Sequence, residues 1–329
     1  MGNGKYALFG ATGAVGKALA TKLAEQRHSF RVIGRSEERL RKDFGRYEPL
    51  VEYCAADLSD SANAARAAAG VDTIFYTVGV PYPQFEQHPK LSRVALAAAA
   101  AAGVRHFVHV STVYPYGVPQ QEFVSESHPR NPKAFKGRMR KEQEDLVLAA
   151  NNPKGMRTTI LRAPDFYGPD AELSYVRAIF DAALKGGTAN VIGPIDTPHE
   201  FIFVPDLAET LIALSEKEEA YGKAWNIAGP GLITTRQFAG LVFDAVLMPT
   251  SLTLQYGLAP KLKLAAAEGD GDRPSSDAKM SDVPDASSRR KACCSIVQPS
   301  FALVQPVSKK LPQVLAIAAR TELPQPESL

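Results

Sequence analysis

The chain has 329 residues, which is enough for one large domain or two smaller ones with a sizeable buried core. Hydrophobic residues make up 45% of it and charged residues 22%, as is ordinary for a globular protein. The net charge of +3 is small and evenly spread, so it argues against nucleic acid or a membrane surface as a partner.

The N-terminus and the cysteines both favour a cytoplasmic protein. The opening MGNGKYALFGATG runs directly into a strand and lacks an apolar signal core. The longest apolar run, residues 94–104, is too short and too rich in alanine to span a bilayer. Cys54, Cys293 and Cys294 offer neither a disulfide framework nor a metal spacing, and the six histidines show no metal spacing either. We therefore expect a cytoplasmic location and no metal site.

Residues 1–165 alternate strand-like and helix-like segments, which predicts a parallel sheet covered by helices. The predicted strands are 5–10, 30–36, 51–57, 72–79, 104–112 and 157–164. The predicted helices are 14–28, 59–70, 90–103 and 133–150. This segment should be one dinucleotide-binding domain.

From Asp165 the regular alternation of strand-like and helix-like segments ends. Residues 166–248 are expected to form a smaller substrate lobe interleaved with the first domain. The predicted helices here are 170–187, 207–217 and 234–246, and the predicted strands are 199–206 and 223–229. Thr234 and Gln237 match a capping box, and Asp206 is expected to cap the helix that follows it.

Residues 249–329 are rich in Asp, Ser, Gly and Pro and carry few large apolar side chains, which predicts a low-complexity, disordered tail. Two origins stay open for it. The tail is an authentic extension, or the reading frame was lost around codon 247. In either case we expect the substrate lobe to be truncated.

The segment GATGAVG, between the first strand and the first helix, is typical of a dinucleotide-binding turn. Gly10 can make the tight turn, Gly13 lets the backbone approach a pyrophosphate, and Gly16 lets helix and strand pack closely. The phosphates would lie at the helix N-terminus. The expected binding residues of this loop are Gly10, Thr12, Gly13, Ala14, Val15 and Gly16. The fold class is therefore α/β, with a Rossmann-type doubly wound parallel sheet and a smaller α/β C-terminal lobe.

The end of the second strand favours NADP over NAD. An NAD site has an acid there to accept hydrogen bonds from the ribose, whereas this chain has Arg35 and Ser36. A guanidinium suits a 2′-phosphate because it donates paired, charge-assisted hydrogen bonds. Glu37 and Glu38 follow, so a solvated charged helix start is the alternative, and NAD stays open.

Five motifs in chain order resemble those of the extended short-chain dehydrogenases/reductases of the NAD(P)-dependent epimerase/dehydratase superfamily. They are GATGAVG, AADLSD, TVGV, ST followed by YG, and LRAPDFYGP, and the similarity runs from residue 5 to about 247. The resemblance implies a small-molecule substrate, and a homodimer is the assembly that many relatives form. It places Asp57 and Leu58 beside the adenine, Val78 and Gly79 along the ribose, and Pro164, Asp165 and Phe166 beside the nicotinamide.

The resemblance also implies a catalytic Ser or Thr, and Thr112 matches it. Family members then carry Tyr-x-x-x-Lys some two dozen residues further on. Here Lys136 takes the Tyr position and Arg140 the Lys position, with Gly137 retained between them. Arg140 can hold ribose hydroxyls but cannot shuttle protons at neutral pH. Lys136 is either an acid with a depressed pKa or a solvated helix-start lysine that does no chemistry.

Two tyrosines are further candidates for the proton donor. Tyr114 lies two residues beyond Thr112, and Tyr167 lies at the exit of the sixth strand. Each could also be a pocket wall. His199 is the only histidine near the expected substrate lobe. Asp206 matches an aspartate of the family, which leaves a substrate contact as an alternative to its capping role.

Two hypotheses follow from these residues. The first is an NAD(P)-dependent oxidoreductase or epimerase acting on a carbonyl, a secondary alcohol or a sugar-nucleotide-like substrate. The second is a non-catalytic NADP(H)-binding sensor or regulatory protein on the same fold.

Overall fold

The protein is described by a computed structural model for residues 5–121 and 123–246, and for the backbone of residues 295–296. Its centre is a seven-stranded sheet in the order β3-β2-β1-β4-β5-β7-β10. All neighbouring strands in it are parallel. The strands are β1 Tyr6–Phe9, β2 Phe30–Gly34, β3 Val51–Ala55, β4 Thr73–Tyr76, β5 His106–Thr112, β7 Arg157–Ala163 and β10 Lys223–Asn226.

Helices cover both faces of this sheet, as parallel strands with near-continuous apolar runs require. They are α1 Ala14–Glu25, α2 Glu37–Phe44, α3 Ser61–Ala68, α4 Gln87–Ala101, α5 Phe135–Ala149 and α7 Val204–Ser215. The two faces alternate along β1, where Leu8 packs into the core with α1, α2 and α7. Ala7 and Phe9 pack into the other core with α3, α4 and α5. The predicted Rossmann-type doubly wound fold is confirmed.

A second lobe packs around its own aromatic core, which includes Tyr167, Phe201 and Phe238. It contains a three-stranded sheet in the order β11-β9-β8 and two helices. These elements are β8 Asp165–Tyr167, α6 Arg177–Lys185, β9 Pro198–Phe203, β11 Leu232–Thr234 and α8 Thr235–Ala245. The chain leaves this lobe once, to add α7 and β10 to the first domain.

Several predicted boundaries shift. The helix predicted over 170–187 starts only at Arg177. The seven residues before it form turns, in which Asp170 has φ +59° and Ser174 donates to the Phe166 carbonyl. Asp206 does not cap α7, because the helix already begins at Val204 with Phe203 as its cap residue. Asp206 lies in the first turn instead.

Other expectations hold at the level of single residues. Thr234 and Gln237 form the predicted capping box of α8, each accepting the other's backbone amide. A two-residue strand, β6 Phe123–Val124, pairs with β12 Ser295–Ile296. Apart from that pair, the predicted tail lies outside the described residues. Among the described helices, none combines the length and the apolar character needed to cross a membrane.

Candidate functional site

The turn between β1 and α1 is built so that glycine is required at two of its positions. Gly10 has φ +97°, and a Cβ there would lie 2.8 Å from the carbonyl carbon of Thr77 at the end of β4. A Cβ on Gly16 would lie 2.4 Å from the Gly10 carbonyl oxygen. Real Cβ atoms do not make such contacts, so this turn presses α1 against β1 as the spacing predicts.

Gly13 leaves the start of α1 open. It is the cap residue and offers no side chain to the first amides of the helix, and the first turn contains no acidic residue. The nearest neighbour of a Cβ at Gly13 would be the Gly10 carbonyl oxygen, 3.6 Å away. Uncapped amides and the positive end of the helix dipole suit an anion, so a dinucleotide pyrophosphate fits this place. Thr12, Ala14 and Val15 complete the turn.

The end of β2 lies beside this turn and presents a basic side chain. The methyl group of Thr12 lies near Gly34, and Arg35 and Ser36 follow as exposed residues. Ser36 caps α2 by accepting from the Arg39 amide at 3.3 Å. The Glu37 carboxylate accepts from the Arg41 guanidinium, further along α2. The exposed cation at this position is therefore Arg35.

Asp57 follows β3 and lies near Arg35. Two hydrogen bonds from Ser59, to the same carboxylate oxygen, lower the pKa of Asp57, and the positive charge of Arg35 adds to that effect. Leu58 beside it is half-buried. Val78 and the exposed Gly79 follow β4, which lies beyond β2 and β1 at the same edge of the sheet. Ligands of such folds bind at this edge, outside the carboxyl ends of the strands.

Thr112 ends β5 at the same edge, opposite Ala163 of β7 in the strand register. Its hydroxyl oxygen accepts from the Tyr114 amide at 3.2 Å. Pro164 is buried just beyond β7, and Phe166 is half-buried. The structure thus brings the residues expected near the nicotinamide together at the ends of neighbouring strands.

The start of α5 carries Lys136 and Gly137. A Cβ on Gly137 would lie 2.5 Å from the Pro132 Cβ and 2.8 Å from the Tyr114 carbonyl oxygen, so the glycine lets α5 start directly against the segment after β5. Lys136 is exposed, and its ammonium group lies 4.2 Å from the ring centroid of Tyr82. That cation–π contact holds the Lys136 ammonium group over the Tyr82 ring.

Arg140 points into the protein. Its guanidinium donates to the Gln143 Oε1 at 2.7 Å and to the Val110 carbonyl at 3.1 Å, and it lies 3.1 Å from the His88 Nδ1. Burial lowers the pKa of Arg140 to about 10, and burial together with Arg140 lowers the pKa of His88 to about 3. The expectation that Arg140 holds a ribose stays a prediction, and its two terminal nitrogens already have internal partners.

The two candidate tyrosines differ in position. Tyr114 is half-buried, and its pKa is raised mainly by burial, with Tyr82 and Asp165 adding to the effect. Tyr167 is 1% exposed within the aromatic core of the second lobe. Burial likewise raises the pKa of Tyr167, with a smaller contribution from Asp206. Tyr167 therefore packs in the lobe, and only Tyr114 reaches the edge where a substrate would lie.

One pair of polar side chains was missed by the sequence reasoning. The Nε2 of His199 lies 2.8 Å from the Asp165 Oδ2, and both side chains are partly exposed. Asp165 was expected near the nicotinamide and His199 near the substrate lobe, but no local pattern indicates that they meet. Their pairing comes from the parallel register of β8 and β9. Within residues 5–121 and 123–246, no group of three or more His, Cys, Asp or Glu side chains could hold a metal ion.

Comparison with known proteins gives one consistent result. The model of the family described as "NAD dependent epimerase/dehydratase family" matches residues 7–228. A (4-alkanoyl-5-oxo-2,5-dihydrofuran-3-yl)methyl phosphate reductase from Streptomyces griseus subsp. griseus is 31% identical over 229 residues, which are 69% of this chain and 69% of the reductase.

Two further proteins show the same similarity. A probable dTDP-4,6-dihydroxy-2-methyloxan-3-one 4-ketoreductase from Streptomyces antibioticus is 26% identical, over 66% of this chain and 69% of its own. The crystal structure of a dTDP-glucose 4,6-dehydratase from Streptomyces venezuelae, with NAD and TYD bound, superposes with a TM-score of 0.75. It is 18% identical and covers 96% of this chain and 97% of its own, so it supports the fold alone.

Proposed function

We propose, from the premise that this chain belongs to the NAD dependent epimerase/dehydratase family, that it is an NAD(P)-dependent oxidoreductase. The substrate class is a carbonyl compound or the corresponding secondary alcohol, including sugar-nucleotide-like compounds. The observation that carries the proposal is the turn at Gly10, Gly13 and Gly16. Two of its glycines are sterically required, and the third leaves an open helix N-terminus. The names of the reductase and the ketoreductase among its relatives support the reductive direction.

The residues present fit the cofactor. The amides of Ala14 and Val15 would hold the pyrophosphate, while Asp57 and Leu58 would flank the adenine and Val78 and Gly79 the ribose. Pro164 and Phe166 would border the nicotinamide. Bound NAD(P)H supplies a hydride for the carbonyl carbon. Thr112 would donate its hydroxyl proton in a hydrogen bond that orients the substrate oxygen.

Within this function NADP is the proposed form of the cofactor. Arg35 is the exposed cation at the end of β2, and Ser36 lies beside it with its hydroxyl accepting from the backbone of α2. Arg35 has no acceptor atom, and Ser36 has a neutral hydroxyl in place of the carboxylate that accepts from ribose hydroxyls in an NAD site. The expected homodimer and the cytoplasmic location stay predictions.

A second candidate function is a non-catalytic NADP(H)-binding sensor or regulatory protein. The observation that favours it is that the side chains of both Lys136 and Arg140 are engaged by contacts within the protein. Arg140 is buried with internal partners, and Lys136 is held over the Tyr82 ring. On this alternative the cofactor pocket is retained and no proton donor is needed.

The test is cofactor binding followed by turnover. NADPH should bind with enhanced fluorescence, and its oxidation should be followed with isatin, acetophenone and ethyl acetoacetate as carbonyl probes. The control is Gly13→Asp. Aspartate is a good cap residue, so α1 should keep its stability, but its carboxylate would stand where the pyrophosphate lies. Binding should fall at least about a hundredfold, because like charges in contact repel strongly in a partly buried site.

Three outcomes separate the candidates. Binding that Gly13→Asp abolishes, together with oxidation of NADPH, supports the oxidoreductase. Binding without turnover on any probe favours the sensor. Wild-type protein that binds neither NADPH nor NADH would refute both.

A further inference from the structure

The paired strands lead from the predicted substrate-orienting hydroxyl to the Asp165–His199 pair. Thr112 lies opposite Ala163 in the register of β5 and β7, and Asp165 follows Ala163 by two residues. Asp165 then begins β8 and lies opposite Phe201 of β9, two residues beyond His199. The first domain and the second lobe therefore meet at this pair, on the edge of the sheet where the nicotinamide would lie.

Asp165 also lies close to Tyr114. Its negative charge contributes to raising the pKa of the Tyr114 phenol, and it does the same to Tyr175. Tyr82 also raises the pKa of Tyr114, the Tyr114 amide donates to the Thr112 hydroxyl, and Asp165 pairs with His199. We call Tyr82, Thr112, Tyr114, Asp165 and His199 the carboxyl-edge cluster. A substrate oxygen held by Thr112 would lie within this cluster.

The contact between Asp165 and His199 orients the imidazole. A carboxylate accepting at 2.8 Å keeps a hydrogen on Nε2, so the proton that the ring can exchange lies on Nδ1. No described residue is hydrogen-bonded to that Nδ1. The ring packs against Phe201, with centroids 4.8 Å apart, and edge-on to Tyr175 at 6.3 Å. These contacts hold the imidazole in one place while its side chain stays 31% exposed.

Two other candidate proton donors, Tyr114 of the cluster and Lys136 outside it, are less well placed. Burial, with Tyr82 and Asp165 adding to the effect, raises the pKa of Tyr114 and makes its phenol a weaker acid. The ammonium group of Lys136 is 4.2 Å above the ring of Tyr82. Within the cluster, His199 is the ionisable side chain that has an orienting carboxylate, and its side chain is 31% exposed.

We propose that His199 is the acid–base residue of this protein and that Asp165 is its positioning residue. This inference rests on the proposed oxidoreductase function. In reduction, the carbonyl carbon would gain a hydride from NAD(P)H, which would be oxidised to NAD(P)+, and the electron pair of the C=O π bond would move to oxygen. The His199 imidazolium gives its Nδ1 proton to that oxygen, which forms the alcohol and leaves the imidazole neutral. Asp165 remains a carboxylate throughout, and solvent returns a proton to Nδ1. Alcohol oxidation reverses these steps.

The first experiment is His199→Ala with exogenous imidazole. A positioned acid–base group is worth about a hundredfold or more in rate, so turnover of the carbonyl probes should fall by at least that factor. NADPH affinity should stay within about twofold, because His199 lies outside the turn that holds the phosphates. Added imidazole should raise the turnover rate of His199→Ala at least tenfold above its rate without imidazole. His28→Ala is the matched control, since His28 packs against Tyr6 at the opposite edge of the sheet and should show neither loss nor rescue.

Asp165→Asn tests the positioning role. The turnover number should fall at least tenfold while the KM for NADPH stays unchanged. The proton NMR signal of the His199 ring should move, because the amide no longer fixes the Nε2–H tautomer. Asp165→Glu, which keeps the carboxylate, should recover part of the rate.

A readout without turnover comes from the same imidazole signal, assigned by its loss in His199→Ala. Saturating NADPH should shift the His199 signal and leave the His28 signal in place. Full activity in His199→Ala, or a His199 signal that NADPH does not move, would overturn this inference while the oxidoreductase function stands. Failure of the wild-type protein to bind NADPH would overturn the function and the inference together, and the binding measurement identifies that case.

Discussion

At the residue scale, the proposed choice of NADP depends on one exposed side chain. Arg35 lies at the end of β2, next to the turn proposed to hold the phosphates and near Asp57. Glu37, two residues further along the chain, accepts from Arg41. A cofactor 2′-phosphate at this edge of the sheet would therefore pair with the guanidinium of Arg35.

Arg35→Ala should therefore weaken NADPH binding by about tenfold or more and leave NADH binding within about twofold. A hydrogen bond between charged groups contributes about 1.5 kcal/mol or more, which corresponds to that factor. Arg41→Ala is the matched control, because Arg41 lies over the Tyr53 ring and pairs with Glu37. Fluorescence titration of both cofactors gives the affinities. An equal loss for NADPH and NADH would remove the basis for choosing NADP.

At the element scale, His106 joins three elements. Its Nδ1 lies 3.1 Å from the Ser215 carbonyl at the end of α7, and its Nε2 lies 2.9 Å from the Thr159 hydroxyl of β7. Its own strand, β5, lies beside β7 in the sheet. Burial lowers the pKa of His106 to about 4, so the ring is neutral at pH 7 and makes these contacts uncharged.

This burial predicts a loss of stability in mild acid. The folded-state pKa is below the ordinary value, so the unfolded chain binds the proton more tightly. The contribution of neutral His106 to the free energy of unfolding is fully present above about pH 6.5 and is lost as pH falls towards 4. By pH 4, this loss amounts to about 3 kcal/mol. His106→Gln replaces the imidazole with an amide, which can still form hydrogen bonds but does not titrate. Urea unfolding at pH 8, 6 and 4 should show a shallower decline for the variant, and parallel declines would contradict the assignment.

At the scale of the whole molecule, one buried carboxylate ties the end of β5 to β7 and α5. Glu144 of α5 accepts from Ser111 at 2.6 Å, from the Arg162 Nη2 at 2.8 Å and from Arg130 at 3.0 Å. Arg162 continues to the Tyr116 hydroxyl, which donates to Asn226 of β10. Ser111 immediately precedes Thr112, so this network holds the segment that carries the hydroxyl proposed to orient the substrate.

Glu144→Gln should destabilise the protein by about 3 kcal/mol or more, because it leaves Arg162 buried without its counter-charge. Glu142→Gln is the control on the same helix, where the exposed carboxylate lies 3.7 Å from Arg93 and should contribute less than about 1 kcal/mol. The free energy of unfolding in urea measures both. Equal small effects would mean that the buried network adds little to stability.

The sequence by itself determined the architecture and the family. Period-2 and period-3.6 patterns depend on neighbours a few residues apart, so they located the strands of the parallel sheet and the helices that cover it. The spacing of Gly10, Gly13 and Gly16 located the tight glycine turn for a similar reason, since backbone torsion and close approach are local demands. That Lys136 and Arg140 replace a Tyr-x-x-x-Lys pair stays a prediction, which rests on counting from Thr112.

Only the tertiary structure decided which polar side chains meet. Arg140 turns inward because His88, Gln143 and Val110 surround it. Asp165 and His199, 34 residues apart, pair because two strands of the second lobe lie in parallel register. Tyr167 packs inside that lobe, and Asp206 falls within the first turn of α7 after Pro205. Such contacts depend on charges and cavities supplied by distant segments, which no local pattern contains.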